Sequence, residues 1–279
     1  MSTSLTLRGE NAPMRVLHSA VYRGPHLFSH TPMIRIRLDL GALESWPSDR
    51  LPGFTDDLIA MLPGLQEHGC SYGTPGGFIR RLREGTWLGH VAEHVALELQ
   101  TRAGSRVTRG KTRSVKGCPG CYNVLYSYRE EEAGLLAGRL ALQLVDSLLP
   151  PELRGVQGLD ELHSRDLLAD GGGVQAALSA LNRVVGRRAL GPTTRSLVQE
   201  AERRGIPVMR LDDLSLVQLG HGKQQQRIRA SITGRTSSIA VEIAGDKDLP
   251  KSRRADAGLP VPKGAVVRSA EAAIQEAER

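Results

Sequence analysis

The chain has 279 residues, of which 40% are apolar, 24% charged and only 3 are cysteine; collagen-like, disulfide-stapled and wholly disordered chains are excluded, and the length suits one large domain or two moderate ones. Aromatic residues make up 4%, so the core must be aliphatic. Lysine and arginine outnumber aspartate and glutamate by 37 to 30, a surplus that attracts phosphate or carboxylate ligands but is too thin for a nucleic-acid coat.

No run approaches the roughly 18 apolar residues of a membrane helix, and the N-terminal MSTSLTLRGENAPMRV lacks a leader's apolar core, so a cytoplasmic protein without membrane partners is expected. Met33 to Leu40 alternates apolar and polar residues and predicts a strand. Phe54 to Leu62, after Pro52-Gly53, has helical spacing. The turn-rich Gly69 to Gly77 precedes a long helical pattern from Phe78 to Ala103, bent or broken near Gly85 and Gly89. The run from Arg102 to Lys116 carries six basic residues and no acid, and reads as a solvated basic loop or a polyanion grip without interleaved aromatic rings. Cys118 and Cys121 flank a Pro-Gly turn and read as reduced thiols, because a four-cysteine zinc site would need a second pair. Tyr122 to Tyr128 predicts a strand, and Glu130, Glu131 and Glu132 open a helix carrying Leu136, Leu140 and Leu144, closed by Pro150-Pro151.

Composition shifts after Leu153, and Asp170 to Gly173 reads as a loop, so a boundary is placed near residue 160. A helix over Thr193 to Arg204 follows. Strands at Ile206 to Leu211, Leu214 to Leu219 and Arg227 to Ile232 come next, then a helix from Ser237 to Ala257, an extended piece over Leu259 to Val267 and a final helix. Gly220-His221-Gly222-Lys223 lacks the spacing and the hydroxyl residue of a phosphate loop.

The sharpest chemical pattern is His90-Val91-Ala92-Glu93-His94. On a helix both imidazoles share one face and can reach one metal ion, while Glu93 lies beside them as a candidate general base, the inverted metallopeptidase spacing. The competing reading is an amphipathic helix whose polar groups are satisfied by neighbours. A zinc site needs a third ligand. Glu98 continues the series, but eight helical residues rise about 12 Å, too far along the axis for all three to meet one ion, so Glu98 suits a supporting contact to a histidine instead. Glu132, one turn before Leu136 on the buried stripe, is the preferred third ligand, with Glu131 the neighbouring alternative.

Two stretches, Glu67 to Gly104 (EHGCSYGTPGGFIRRLREGTWLGHVAEHVALELQTRAG) and Leu214 to Gly264, resemble the cyanophycin synthetase family, in the family's order. The resemblance implies an α+β N-terminal domain over residues 1–160, then an α/β region, 161–279, leading into an ATP-grasp domain of which only the first part is present. It implies an ATP- and magnesium-dependent ligase that polymerises aspartate and arginine. The Gly-rich loop, the magnesium-binding carboxylates and the Mur-like domain of the family have no counterpart up to Arg279, so the chain is expected to be a truncated form that makes no polymer alone. In the Asp246-Lys247 pair, Lys247 corresponds to the lysine that approaches the nucleotide phosphates. Pro250 and the Cys118-Cys121 pair depart from the family pattern. The implied partners are cyanophycin or an aspartate–arginine peptide, ATP where the domain is complete, and further copies of the chain, with no nucleic acid. In some members the N-terminal domain is a metal-dependent hydrolase trimming the polymer, with Glu93 as base. A non-catalytic polymer-binding or assembly module is the remaining alternative.

Overall fold

The computed structural model describes residues 12–163 and 173–278, in two compact units that meet in sequence at Leu190 and Gly191. The Asp170 to Gly173 loop lies largely outside the described residues. In the first unit, strands β1 (Arg15–Tyr22) and β2 (Met33–Asp39) precede α1 (Phe54–Met61), α2 (Gly77–Glu84) and α3 (Leu88–Arg102). Then come β3 (Gly110–Val115), β4 (Cys118–Ser127), α4 (Glu131–Ser147) and α5 (Val174–Arg187). The strands form one antiparallel sheet in the order β1-β2-β4-β3.

Period-two alternation decides which face is buried. Ile34, Ile36 and Leu38 of β2 and Val124 and Tyr126 of β4 point into the core, where α3 and α4 pack on one another and on the sheet. The core is aliphatic, as the composition requires, with Leu88, Val91, Val95 and Leu99 from α3 and Leu136, Leu140 and Leu144 from α4. The helical run is interrupted at Gly85, whose φ of +98° is a glycine conformation. Gly89 lies inside α3, where a Cβ would stand 3.2 Å from Val124, and there it permits close helix–sheet approach instead of a break.

Three elements were not anticipated. β3 lies in the stretch read as a basic loop; it is polar because it is an edge strand, held by its ladder to β4 and carrying Lys111 and Arg113 outward. β1 is irregular, with a register shift between Val16 and His18 that spoils its alternation. α5 buries Ala177, Leu178, Leu181 and Val184 and packs on α3 and α4, so by packing the first unit runs to Leu190, beyond the boundary expected near 160. Cys118 and Cys121, expected as reduced thiols, are bonded to each other, since the Pro119-Gly120 turn brings their Cα atoms within 5.4 Å.

The second unit contains α6 (Pro192–Arg203), β5 (Val208–Arg210), β6 (Leu216–Leu219), β7 (Gln226–Arg229), β8 (Ile232–Thr233), α7 (Ser238–Gly245), α8 (Asp248–Asp256) and α9 (Ala270–Ala277). Its sheet, β5-β6-β7-β8, is antiparallel throughout. An α+β arrangement therefore stands where α/β was expected, because the strands follow one another through connections too short for a parallel crossover. The helix expected over Ser237 to Ala257 divides at Asp246-Lys247, where the Asp246 carboxylate accepts from the amides of Asp248 and Leu249. Pro250 falls in the first turn of α8, where its missing N–H had no intrahelical partner to lose. Among the described residues no helix is long and apolar enough to cross a membrane.

Candidate metal centre

The site is assembled from two segments, the loop before α2 and the first half of α3. The loop is closed at its base by backbone bonds from Gly76 N to the Gln66 carbonyl, 2.7 Å, and from Phe78 N to the His68 carbonyl, 2.9 Å. At Cys70 the chain takes φ +49°, a left-handed conformation unfavourable to a residue with a Cβ. Strain of this kind persists where surrounding structure fixes it, and it is concentrated at functional sites.

On α3, His90 and His94 stand one turn apart with ring centroids 4.8 Å from each other. Cys70 Sγ lies 3.3 Å from His90 Nε2, and the ligand atoms of Cys70, His90 and His94 all fall within 4.8 Å of one another. Supporting groups fix the rings. Thr86 Oγ1 is 2.9 Å from His90 Nδ1, which leaves Nε2 toward the thiol. His68 Nδ1 is 2.9 Å from His94 Nδ1, so one of these two nitrogens carries the proton, and His68 Nε2 in turn lies 3.2 Å from Glu98 Oε2. Phe78 stacks on the His94 ring at 3.9 Å and closes the apolar side. Burial, with a smaller contribution from the Arg81 charge, pushes His90 down to about 4. Burial first, then His90 and His68, holds His94 well below the usual imidazole range. Both rings are thus neutral near pH 7, the form that binds metal. One sulfur and two imidazole nitrogens are donors that zinc prefers, and three protein ligands leave a fourth position for water or substrate. These residues fit zinc.

The remaining expected residues are dispersed. Glu93 is buried on the side of α3 that meets β3, where its Oε2 accepts a 2.6 Å hydrogen bond from Thr112 Oγ1 and a Cβ at Gly110 would collide with its Oε1. Burial pushes its carboxyl up to about 8, against the opposing Thr112 bond. Glu98 contacts His68, not His90 or His94. Glu132, expected as the third ligand, is held elsewhere: Arg188 Nε donates to it at 2.8 Å, with Arg187 and His163 nearby. The reason is α5, which brings two arginines to the first turn of α4. Glu131 pairs with Arg23 at 2.6 Å, and Glu130 accepts from the Ala133 amide as a helix cap. Cys70 and His68, which the sequence reading passed over, are spaced as His-Gly-Cys immediately before α2. That spacing of two metal-ligand types was the available signal.

Comparison with known proteins accounts for this segment. Residues 35–150 match the family described as the cyanophycin synthase-like N-terminal domain. The chain is 43% identical over 256 residues to a cyanophycin synthetase of Geminocystis herdmanii. It is 42% identical over 257 residues to the cyanophycin synthetases of Crocosphaera subtropica and Synechocystis sp.. Over residues 35–150 the chain is similar to that N-terminal domain. In each of these three alignments 91% of this chain is covered, yet it spans only 28% of the relative's length. The candidate metal centre and Glu93 lie wholly within the matched residues 35–150, whereas Lys247 lies beyond them, exposed at the start of α8.

Proposed function

We propose that the chain works within a cyanophycin synthetase, an ATP- and magnesium-dependent ligase that joins aspartate and arginine into cyanophycin, supplying the N-terminal domain and the region leading into an ATP-grasp domain. The observation that carries this reading is the 43% identity sustained over 91% of the chain. In it Lys247 approaches the nucleotide phosphates, where an ammonium offsets charge developing during phosphoryl transfer. The test is a chimera in which this chain replaces the matching part of the Geminocystis herdmanii protein. ADP release that depends on aspartate and arginine supports the reading, with about a tenfold loss or more expected for Lys247→Ala. A folded but inert chimera overturns it.

A second reading, a zinc-dependent hydrolase acting on aspartate–arginine peptide, is favoured by the convergence of Cys70, His90 and His94 within 4.8 Å. Those three residues would hold the metal, which when bound would polarise a scissile carbonyl. Thr86 and the His68–Glu98 pair keep the two ligand rings oriented. Glu93, held by Thr112 on the β3 side of α3, is not among the groups gathered at this centre, so its expected role as base finds no support in the geometry. Metal analysis of the purified chain and a cleavage assay test this together. Stoichiometric zinc lost in His90→Ala and in Cys70→Ser, retained in Glu132→Gln, and accompanied by loss of cleavage is the expected result. Absence of metal from the unaltered chain would leave the domain a polymer-binding or assembly module.

A further inference from the structure

The face of the first sheet turned away from α3 and α4 carries a second constellation that neither reading above uses. In an antiparallel sheet directly opposed residues project from the same side. The register sets His18 opposite Arg37, Arg37 opposite Asn123 and Asn123 opposite Arg113; the adjoining row runs Ala20, Arg35, Leu125, Lys111. Four cations thus share one face with no acid in either row. Leu125 between them is fully buried, and Arg35 and Arg37 are half-buried, so the rows have an apolar floor between charged heads. A shallow groove of about 460 Å³, lined by Leu17, His18, Arg35, Arg37 and Cys118, opens on this face.

Arg35 is held in place before any ligand arrives. Its guanidinium lies over the Tyr22 ring, 5.9 Å from the centroid, with Nη2 3.5 Å from His18 Nδ1. Its Nε is buried without a hydrogen-bond partner. A buried donor left unmet is unfavourable and is normally satisfied. Here it lies on a guanidinium that borders the groove.

We propose that this face binds an acidic peptide lying extended along β2, with alternate carboxylates engaging Arg35 and Arg37 and further acidic groups reaching Lys111 and Arg113. The spacing carries the assignment. Residues two apart on a strand are about 6.6 Å apart and strands two positions apart about 9.6 Å. An extended peptide repeats its same-side groups with the first of these periods, so each guanidinium meets one carboxylate, and the planar fork binds a carboxylate through two parallel hydrogen bonds. A nucleic acid fits less well, because the Tyr22 ring beside Arg35 is covered by that guanidinium and stacked on His26 at 4.4 Å, which leaves it no free surface for a base. The proposal rests on neither the ligase reading nor the metal centre.

Fluorescence anisotropy with the full chain and a labelled ten-residue peptide of alternating aspartate and serine tests it. Saturable binding that weakens about tenfold in the paired variant Arg35→Gln/Arg37→Gln, and further with added salt, is expected, while Arg254→Gln in the second unit leaves it unchanged. Because Arg35 packs against Tyr22, the paired variant Arg37→Gln/Arg113→Gln, with unaltered thermal melting, provides a second measurement and should show a comparable loss. No saturable binding, affinity in both paired variants equal to that of the unaltered chain, or tighter binding of an oligothymidylate of equal charge would each overturn the proposal.

Discussion

Gly138 shows how a single hydrogen atom sets the distance between a helix and the sheet beneath it. An alanine in place of a helix-interior glycine ordinarily raises stability by about 1 kcal/mol. At this position a Cβ would stand 2.1 Å from Tyr126 Oη, and Tyr126 is fully buried and donates to the Gly134 carbonyl at 3.1 Å, so it has no room to retreat. Gly138→Ala is therefore expected to lower stability by about 1–3 kcal/mol in chemical denaturation; a gain would mean that Tyr126 can move. His90 supports a prediction about pH. Its folded pKa of about 4 lies below the unfolded value of 6.5, so the unfolded chain binds the proton more readily. Its contribution to the stability of metal-free protein is complete above about pH 6.5 and is lost as pH falls through about 4, with a ceiling of about 3 kcal/mol. Urea midpoints between pH 7 and 4 should fall less steeply in His90→Ala than in the unaltered chain; equal slopes would show that His90 is not the group responsible. The two imidazoles were legible because helical spacing alone puts them on one face. Cys70 was not, since its approach depends on a loop whose path no local periodicity encodes.

At the scale of elements, the break between α2 and α3 determines where the helix carrying His90 and His94 begins. Gly85 there has φ +98°, and an added Cβ would stand 2.4 Å from Asp49 Oδ1. Gly85→Ala should destabilise the first unit by about 1–3 kcal/mol and reduce zinc retention by shifting α3, both readable from thermal melts with and without metal. Pro250 gives the opposite expectation. Because it occupies the first turn of α8, Pro250→Thr should change the melting of the chain little, by less than about 0.5 kcal/mol equivalent. The helices α1, α3, α4 and α6 were readable from apolar spacing and their starts. β3 was not, since an edge strand with Lys111 and Arg113 outward looks like a solvated loop until β4 is placed beside it. α5 had the spacing of a buried stripe at Ala177, Leu178, Leu181 and Val184, and it was obscured by the small and charged residues that precede it.

For the whole molecule, burial is unevenly distributed between the units. The first unit encloses almost the entire apolar core, whereas α7, α8 and α9 bury no residue, and Ile239 and Val266 are 67% and 65% exposed. Protection from hydrogen exchange follows buried contacts. Amides over 238–278 should exchange earliest among the described residues and those of α3 and β4 last, as read by mass spectrometry of peptic fragments; the reverse order would show that the second unit carries stability of its own. The sequence by itself carried the resemblance to cyanophycin synthetases, the aliphatic core and the pair of histidines beside Glu93, because these depend on composition, on order along the chain or on a period of one helical turn. The tertiary structure decided which third donor side chain comes within reach of them and which carboxylates do not. Cys70 reaches His90 by a folded-back loop, and Glu132 is drawn to arginines of a helix distant in sequence. Contacts between remote segments are set by how layers pack, and packing leaves no signature in the local pattern of either segment.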